Sequence, residues 1–301
     1  MTVHDTSTPR GAVVVGVDGS PSSDLALDWA VDEATRRRLP LHVVHVFVQD
    51  YPTMTIGIPP VLDDLRAVAH TVLNDAVARA NRLGPQLQVT SALHTGSAAK
   101  FLIEASARAD TVVVGTAGRR GLARAVLGST AAQVAAHSQA PVVVVRQAAP
   151  TAVSADRRVV VGVDGAGGCH DAIGYAFAQA SSRGASLTAA HGWWLEYAGD
   201  VFAVPYTEGE HEELETSQRA LVSEAIAGWS EKYPDVEVHQ QIVRAEPVGL
   251  LTRDSAGADL LVVGSRGRGG FAGLLLGSVS SACAEHAHCP VLVVHEKHER
   301  H

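Results

Sequence analysis

Basic residues, cysteines and aromatics are all scarce in this chain, and each shortage removes a class of protein. Lys and Arg number 24 against 32 Asp and Glu, for a formal net charge of −8. Broad nucleic-acid binding rests on a basic surface, so the balance argues against it and leaves room only for a local basic pocket. The three cysteines, Cys169, Cys283 and Cys289, are too few, and odd in number, for the disulfide framework of a secreted domain. No apolar run reaches the length of a membrane span. Residues Met1–Gly11 are polar and lack the apolar centre of a signal peptide. The expectation is a cytoplasmic protein with no membrane and no nucleic-acid partner. Aromatics make up 5% of the chain, yet hydrophobic residues make up 46%, so Val and Ala must build the core. That composition fits a globular protein, and 301 residues suffice for two ordinary domains.

What the chain does have is the same unit twice. Asp18 and Asp164 follow similar strands and lie 146 residues apart, as do His45 and His191. Further on, the spacing becomes 149 for Asp110 and Asp259, Gly115 and Gly264, Gly128 and Gly277, and Pro141 and Pro290. A tandem repeat with a three-residue insertion in the middle of its second copy accounts for both spacings. The period is domain-sized, which indicates a duplicated domain and not a solenoid. The polar, alanine-rich stretch Gln147–Asp156 reads as the linker, and we place the domains at 1–148 and 157–301 with the linker at 149–156.

Each copy alternates apolar runs with helical patterns. In the first copy Ala12–Val17, Leu41–Val48, Leu87–Leu93, Thr111–Val114 and Val142–Val145 read as buried parallel strands. In the second they are Arg158–Val163, Leu187–His191, Val236–Val243, Leu260–Val263 and Val291–Val294. Ser20 is a candidate N-cap with Pro21 at the first helical position. A second helix is predicted over Val61–Leu83, stopped by Gly84-Pro85, with its counterpart over Glu210–Glu231. A third covers Ala98–Ala107, and a fourth starts near Gly128-Ser129. Strands and helices alternating at these lengths imply α/β domains with parallel sheets and helices on both faces.

The chemistry concentrates in two glycine loops. Val112–Val114 runs into Gly115-Thr116-Ala117-Gly118, and nine residues separate Gly118 from Gly128-Ser129-Thr130. Val262-Val263 runs into Gly264-Ser265-Arg266-Gly267, again nine residues before Gly277-Ser278-Val279-Ser280. Glycines allow close backbone approach and positive φ, so successive N–H groups can converge on an anion. A helix N-terminus adds free N–H groups and a favourable dipole. Arg119, Arg120 and Gly121 in one loop, and Arg268, Gly269 and Gly270 in the other, put cations and further glycines beside the proposed phosphate position. Asp18 and Asp164 stand just past the first strand, at the carboxyl edge where open α/β sheets bind ligands. More ordinary roles remain open: a turn-forming Asp, glycines in tight turns, Ser129 and Ser278 as N-caps, and arginines on a solvated face.

Val-Gly-Val-Asp-Gly at 15–19 and 161–165, with Gly-x2-Gly-x9-Gly-Ser at 115–129 and 264–278, resembles the ATP-binding class of universal stress proteins. The resemblance spans nearly the whole chain as two fused domains. It implies five parallel strands per domain in the order 3-2-1-4-5, a doubly wound open sheet, with ATP at the crevice between strands one and four. Carried over, Asp18 and Asp164 contact adenine or ribose, next to Gly16 and Gly162 of the same motif. The backbone at Val46 and Gly192 meets the adenine edge. Gly115, Gly118, Gly128, Ser129 and Thr130, and their counterparts Gly264, Gly267, Gly277, Ser278 and Val279, surround ribose and phosphates. The resemblance further implies docking of the last strands of the two copies, and a homodimer. The second loop matches the family pattern more fully than the first. In the second copy Asp164 is followed by Gly165-Ala166-Gly167-Gly168, without the Ser-Pro entry of the first and without the Lys-Ser/Thr ending of a P-loop.

Three functions fit. One is a regulator of stress response or growth that binds ATP, with or without Mg²⁺ or Mn²⁺, at two sites and passes the bound state to its assembly or to a protein partner. The second is a slow ATP-hydrolysing enzyme, for which no Walker-type acid, catalytic-loop motif or triad is assignable. The third is a nucleotide-free assembly module. Cys283, His286, His288 and Cys289 do not turn to one point at helical spacing, so no metal site is expected there. The unequal loops Gln49–Pro60 and Trp193–Gly209 are candidate lids. Trp193, Trp194, Tyr197, Phe202 and Tyr206 in the second are read as packing that loop.

Overall fold

The computed structural model describes residues 8–47, 60–116, 127–146, 157–165, 169–193, 208–267 and 276–296, and of 60–63 and 208–211 only the backbone. The chain divides into two compact units, Met1–Ala148 and Ala149–His301. The first contains β1 (Val13–Val17), α1 (Pro21–Arg37), β2 (Leu41–Phe47), α2 (Pro60–Leu83), β3 (Val89–Thr95), α3 (Ala98–Ser106), β4 (Thr111–Gly115), α4 (Ser129–His137) and β5 (Val142–Val145). The second contains β6 (Arg158–Gly162), α5 (His170–Arg183), β7 (Ser186–Trp193), α6 (Glu208–Lys232), β8 (Val238–Arg244), α7 (Pro247–Asp254), β9 (Leu260–Gly264), α8 (Ser278–His286) and β10 (Val291–Val294).

The strand order is β3-β2-β1-β4-β5 in the first unit and β8-β7-β6-β9-β10 in the second, with parallel pairing throughout each. This is the 3-2-1-4-5 order expected from the resemblance. Two connections step outward from β1 and the third jumps back to β4. With crossovers of one hand, that reversal sends α1 and α2 to one face and α3 and α4 to the other. Accordingly α1 packs on α2, and α3 on α4. Helices cover both faces, so the strands are apolar on both sides: Val112 and Val113 of β4 and Val142 and Val143 of β5 are fully buried, as are Leu260, Leu261 and Val262 of β9.

Local chemistry sets most boundaries. Ser20 caps α1 by accepting from the Ser23 N–H, and Pro21 opens the helix, as the sequence predicts. The helix ends in a left-handed residue, Arg38 with φ 55°, where the second unit has Gly184 with φ 59°. Strand β3 begins two residues later than its apolar run. The Leu87 N–H bonds the Gly84 carbonyl at 2.9 Å, so Leu87 belongs to the turn that closes α2. Val236 does the same with the Tyr233 carbonyl at 3.1 Å, which delays β8.

The two units solve one helix contact differently. In the first, Arg79 on α2 bridges Asp28 on α1 at 2.6 and 2.7 Å. In the second, the Trp229 ring lies over Gly174, where a Cβ would come within 2.5 Å of it. The first unit also buries a charge: Glu33 is 0% exposed and pairs with Arg36 at 2.9 Å. Arg37 reaches Asp110 at 2.5 and 3.0 Å. Burial opposes the Arg37 charge, but the Asp110 bond and the Asp110 and Glu33 charges outweigh it and hold its pKa above the usual range.

Candidate functional site

The carboxyl edge of each sheet starts with an Asp-Gly turn. Asp18 leaves β1, and its Oδ1 accepts from the Ser20 N–H at 3.0 Å. Gly19 has φ +77° and packs against Val72 of α2. Gly165 repeats this with φ +67°, its Cα pressed on Leu221 of α6 so closely that no Cβ fits. Here the glycine is required twice over, by handedness and by space. Gly16 and Gly162 have a different role. A Cβ on Gly16 would meet Leu102 of α3 at 2.9 Å, and one on Gly162 would meet Leu251 of α7 at 3.0 Å. These glycines let a helix settle on the first strand.

On the neighbouring strand, Gly115 lies under the first turn of α1, where a Cβ would be 2.7 Å from the Ser22 carbonyl oxygen. The Thr116 N–H then bonds the Val145 carbonyl at 3.1 Å, and the Gly128 N–H bonds the Thr116 carbonyl at 2.7 Å. The loop therefore leaves and returns at one pinned point. The second unit repeats the pin: Ser265 N–H to the Val294 carbonyl and Gly277 N–H to the Ser265 carbonyl, both 2.7 Å. There Ser280 adds a bond from its hydroxyl to the Gly264 carbonyl at 2.5 Å.

The N-caps of α4 and α8 are Gly128 and Gly277, with ordinary φ of −62° and −71°. Ser129 and Ser278 are thus the first helical residues, which corrects their reading as N-caps. Thr130 and Val279 follow them. A cap glycine has no side chain with which to accept from the first-turn N–H groups, so these are available to an anion.

The second unit brings its acid and its loop together. A Cβ on Gly267 would lie 3.0 Å from Asp164 Oδ2. Gly267 is not among the glycines with positive φ. Of the two reasons anticipated from the sequence, close approach requires glycine there and a left-handed backbone does not. Arg266 beside it is exposed. Val46 and Gly192 follow the buried His45 and His191 on β2 and β7. A Cβ on Gly192 would be 2.9 Å from the Ala245 carbonyl oxygen and 3.1 Å from Pro247 Cα, so this glycine also answers to packing.

Ala117, Gly118, Arg119, Arg120, Gly121, Arg268, Gly269 and Gly270 lie outside the described residues. So do the linker, both candidate lids between their ends, and Trp194, Tyr197, Phe202 and Tyr206. Among the described residues no group of three His, Cys, Asp or Glu could hold a metal ion. Cys283 and Cys289 belong to the apolar core of the second unit, where burial above all pushes each thiol up to about 12. Among the described residues no helix is long and apolar enough to cross a membrane.

The model of the Universal stress protein family matches this chain twice, over residues 10–146 and 156–295. The chain belongs to the universal stress protein family. It is 39% identical to a universal stress protein of Mycolicibacterium smegmatis over 293 residues, covering 96% of this chain and 98% of the relative. A universal stress protein of Mycobacterium tuberculosis is 38% identical over 303 residues, covering 96% and 99%. Among solved structures, a universal stress protein from Archaeoglobus fulgidus shares the fold with a TM-score of 0.70 at 21% identity, covering 98% of this chain and 100% of that one.

One neighbour of the acid was missed in the sequence of this universal stress protein. Cys169 is buried beside Asp164 at the cap of α5. Burial first, with the charge of Asp164, pushes the thiol pKa up. The signal was present: Cys169 is 146 residues from Ser23, which belongs to the α1 cap. In the second unit the Ser-Pro entry is lost, and α5 starts at His170 with Cys169 at its cap, whose side chain makes no cap bond.

Proposed function

We propose that this universal stress protein binds ATP at two sites, one in each of the domains 1–148 and 157–301 flanking the linker 149–156, and acts as a regulator. The juxtaposition of the Asp164 carboxylate with the Gly267 backbone carries the reading. A carboxylate only accepts hydrogen bonds, which suits ribose hydroxyls or an adenine amino group. The uncapped first turns of α4 and α8 suit phosphates. Donors for the anion and an acceptor for the sugar thus stand at the same edge of the sheet, beyond β1 and β4 and again beyond β6 and β9. Mg²⁺ or Mn²⁺ can accompany the phosphates as part of the ligand.

The residues fit recognition better than turnover. An enzyme needs a group acting in the transition state, and neither the motifs nor the described residues supply a nucleophile–base pair at this edge. The bound state instead shifts an equilibrium of assembly, a homodimer included, or of a protein partner in stress response or growth control, by its differential affinity for the two states. The deciding experiment is to denature freshly purified protein, identify any released nucleotide, and then rebind ATP to stripped protein. Oligomeric state and partner capture are measured with and without ATP, alongside turnover with Mg²⁺ or Mn²⁺. ATP-dependent assembly or capture, with turnover far below the enzyme median of roughly 10 per second, is expected. Fast metal-dependent turnover without any effect on assembly or capture would reverse the conclusion in favour of an enzyme.

A further inference from the structure

Both units place a histidine against the peptide that leads into the acid. The side chain of His45 is buried at the end of β2, and its Nδ1 lies 2.7 Å from the Val17 carbonyl oxygen. His191 is buried at the same place on β7, with Nδ1 2.6 Å from the Val163 carbonyl oxygen. A carbonyl can only accept, so Nδ1–H donates in both cases and the tautomer is set. In the second unit Nε2 lies 2.9 Å from the Gln218 Oε1 position on α6; with Nδ1–H donating, Nε2 accepts, so the Gln218 amide turns its N–H group to the ring and holds its other edge.

We propose that His45 and His191 are positioning residues, holding Asp18 and Asp164 in their binding orientation through the carbonyl that precedes each acid. The proposal rests on the ATP-binding reading above. The physical link is the planar peptide unit. The Val17 carbonyl lies in one plane with the N–H and Cα of Asp18, so anchoring the oxygen sets the plane from which the Asp18 side chain departs. On the other side, the left-handed Gly19 fixes the chain as it leaves. Asp164 is held in the same way, between the Val163 carbonyl and Gly165.

Packing alone does not call for an imidazole here. Burying a polar ring costs free energy unless it is hydrogen-bonded, and an aliphatic side chain would fill a core position without that cost. Across the seven residues of β2 and their counterparts, Leu-His-Val-Val-His-Val-Phe against Leu-Thr-Ala-Ala-His-Gly-Trp, only the leading leucine and this histidine coincide. The leucines, Leu41 and Leu187, are 0% exposed core residues. The shared histidine has in common the bond to the pre-acid carbonyl. The two units differ in what else holds that strand end. The β1–β2 ladder continues through Val17 and His45, whereas the β6–β7 ladder ends at Gly162 and Ala190. Beyond Gly162 the Val163 N–H still bonds the Ala190 carbonyl at 2.9 Å, so backbone and ring together hold the strand end in both units.

The test uses the full chain stripped of nucleotide, with ATP and Mg²⁺ as probe and calorimetry as readout, and with melting midpoints recorded for every variant. In His45→Asn and His191→Asn the amide N–H reaches the place of Nδ1, and affinity at the altered site should stay within about twofold. In His45→Gln and His191→Gln the amide lies one methylene further out, and that site should weaken about three- to tenfold, the range of one net hydrogen bond. In an Asp18→Ala or Asp164→Ala chain the Gln change should cost nothing further, because the residue through which it acts is gone. Equal affinity for the Asn and Gln variants, or an undiminished Gln effect without the acid, would overturn the proposal, the second by pointing to direct ligand contact. Where the acid-less site binds too weakly to read, the Asn and Gln contrast decides alone. If the unaltered chain takes up no ATP, the binding reading itself fails, and this outcome is distinct from wild-type binding with indifferent histidine variants.

Discussion

Gly267→Ala isolates the contact on which the proposed second ATP site rests. The added Cβ would lie 3.0 Å from Asp164 Oδ2. That is inside the ordinary carbon–oxygen contact distance, so either the carboxylate or the loop must shift by a few tenths of an ångström. Asp164 is the proposed acceptor for the ribose or adenine of the ligand, so a shift of its carboxylate weakens that bond. A hydrogen bond to a charged group is worth about 1.5–3 kcal/mol. With about 1.4 kcal/mol per factor of ten, ATP affinity at the second site should fall about ten- to a hundredfold. The backbone at Gly267 lies outside the left-handed region, so alanine is compatible with it. Stability should change by less than about 1 kcal/mol, the unfolded-state entropy even favouring alanine. Calorimetry on stripped protein should show one site weakened and one unchanged, with the melting midpoint nearly constant. A folded Gly267→Ala chain that binds ATP at both sites with full affinity would refute the assignment of Asp164 and this loop to one site.

Other substitutions test the remaining elements. The unaltered chain should bind close to two ATP molecules, and Asp18→Ala and Asp164→Ala should each weaken its own site alone; one molecule per chain would show that a copy has lost its site. Gly165→Ala forces a side chain into φ +67° and into Leu221, and should lower stability by about 1–3 kcal/mol in denaturant titrations. Arg38→Gly relieves a left-handed non-glycine residue and should raise stability by about 0.5–1 kcal/mol, whereas Gly184→Arg should do the reverse; equal midpoints would contradict the strain at φ 55°. Cys283 and Cys289, buried and with pKa pushed up to about 12, remain thiols near neutrality and should resist alkylation until the protein unfolds; rapid labelling of native protein would contradict their burial.

The amino-acid sequence by itself determined the duplication, the alternation of strand and helix, and most element positions. Those properties follow from periodicity, which is local: Val142–Val145 is apolar at each position because both faces of its sheet are covered, and Ser20-Pro21 starts a helix wherever it stands. The strand order was legible only through family likeness, since no local pattern tells β1 to pair with β4. The Asp-Gly turns and glycine loops were also legible, but not the reason for each glycine. Gly16 and Gly162 make room for leucines on α3 and α7, Gly267 makes room for a carboxylate, and Gly165 alone among these four needs the left-handed backbone. Contacts between residues far apart in the chain decide such matters, and spacing does not encode them. For the same reason the tertiary structure was needed to set Cys169 beside Asp164 and to turn His45 and His191 onto the carbonyls before the acids. Their partners are chosen by register and packing, 28 residues away for each histidine, after the sheet has formed.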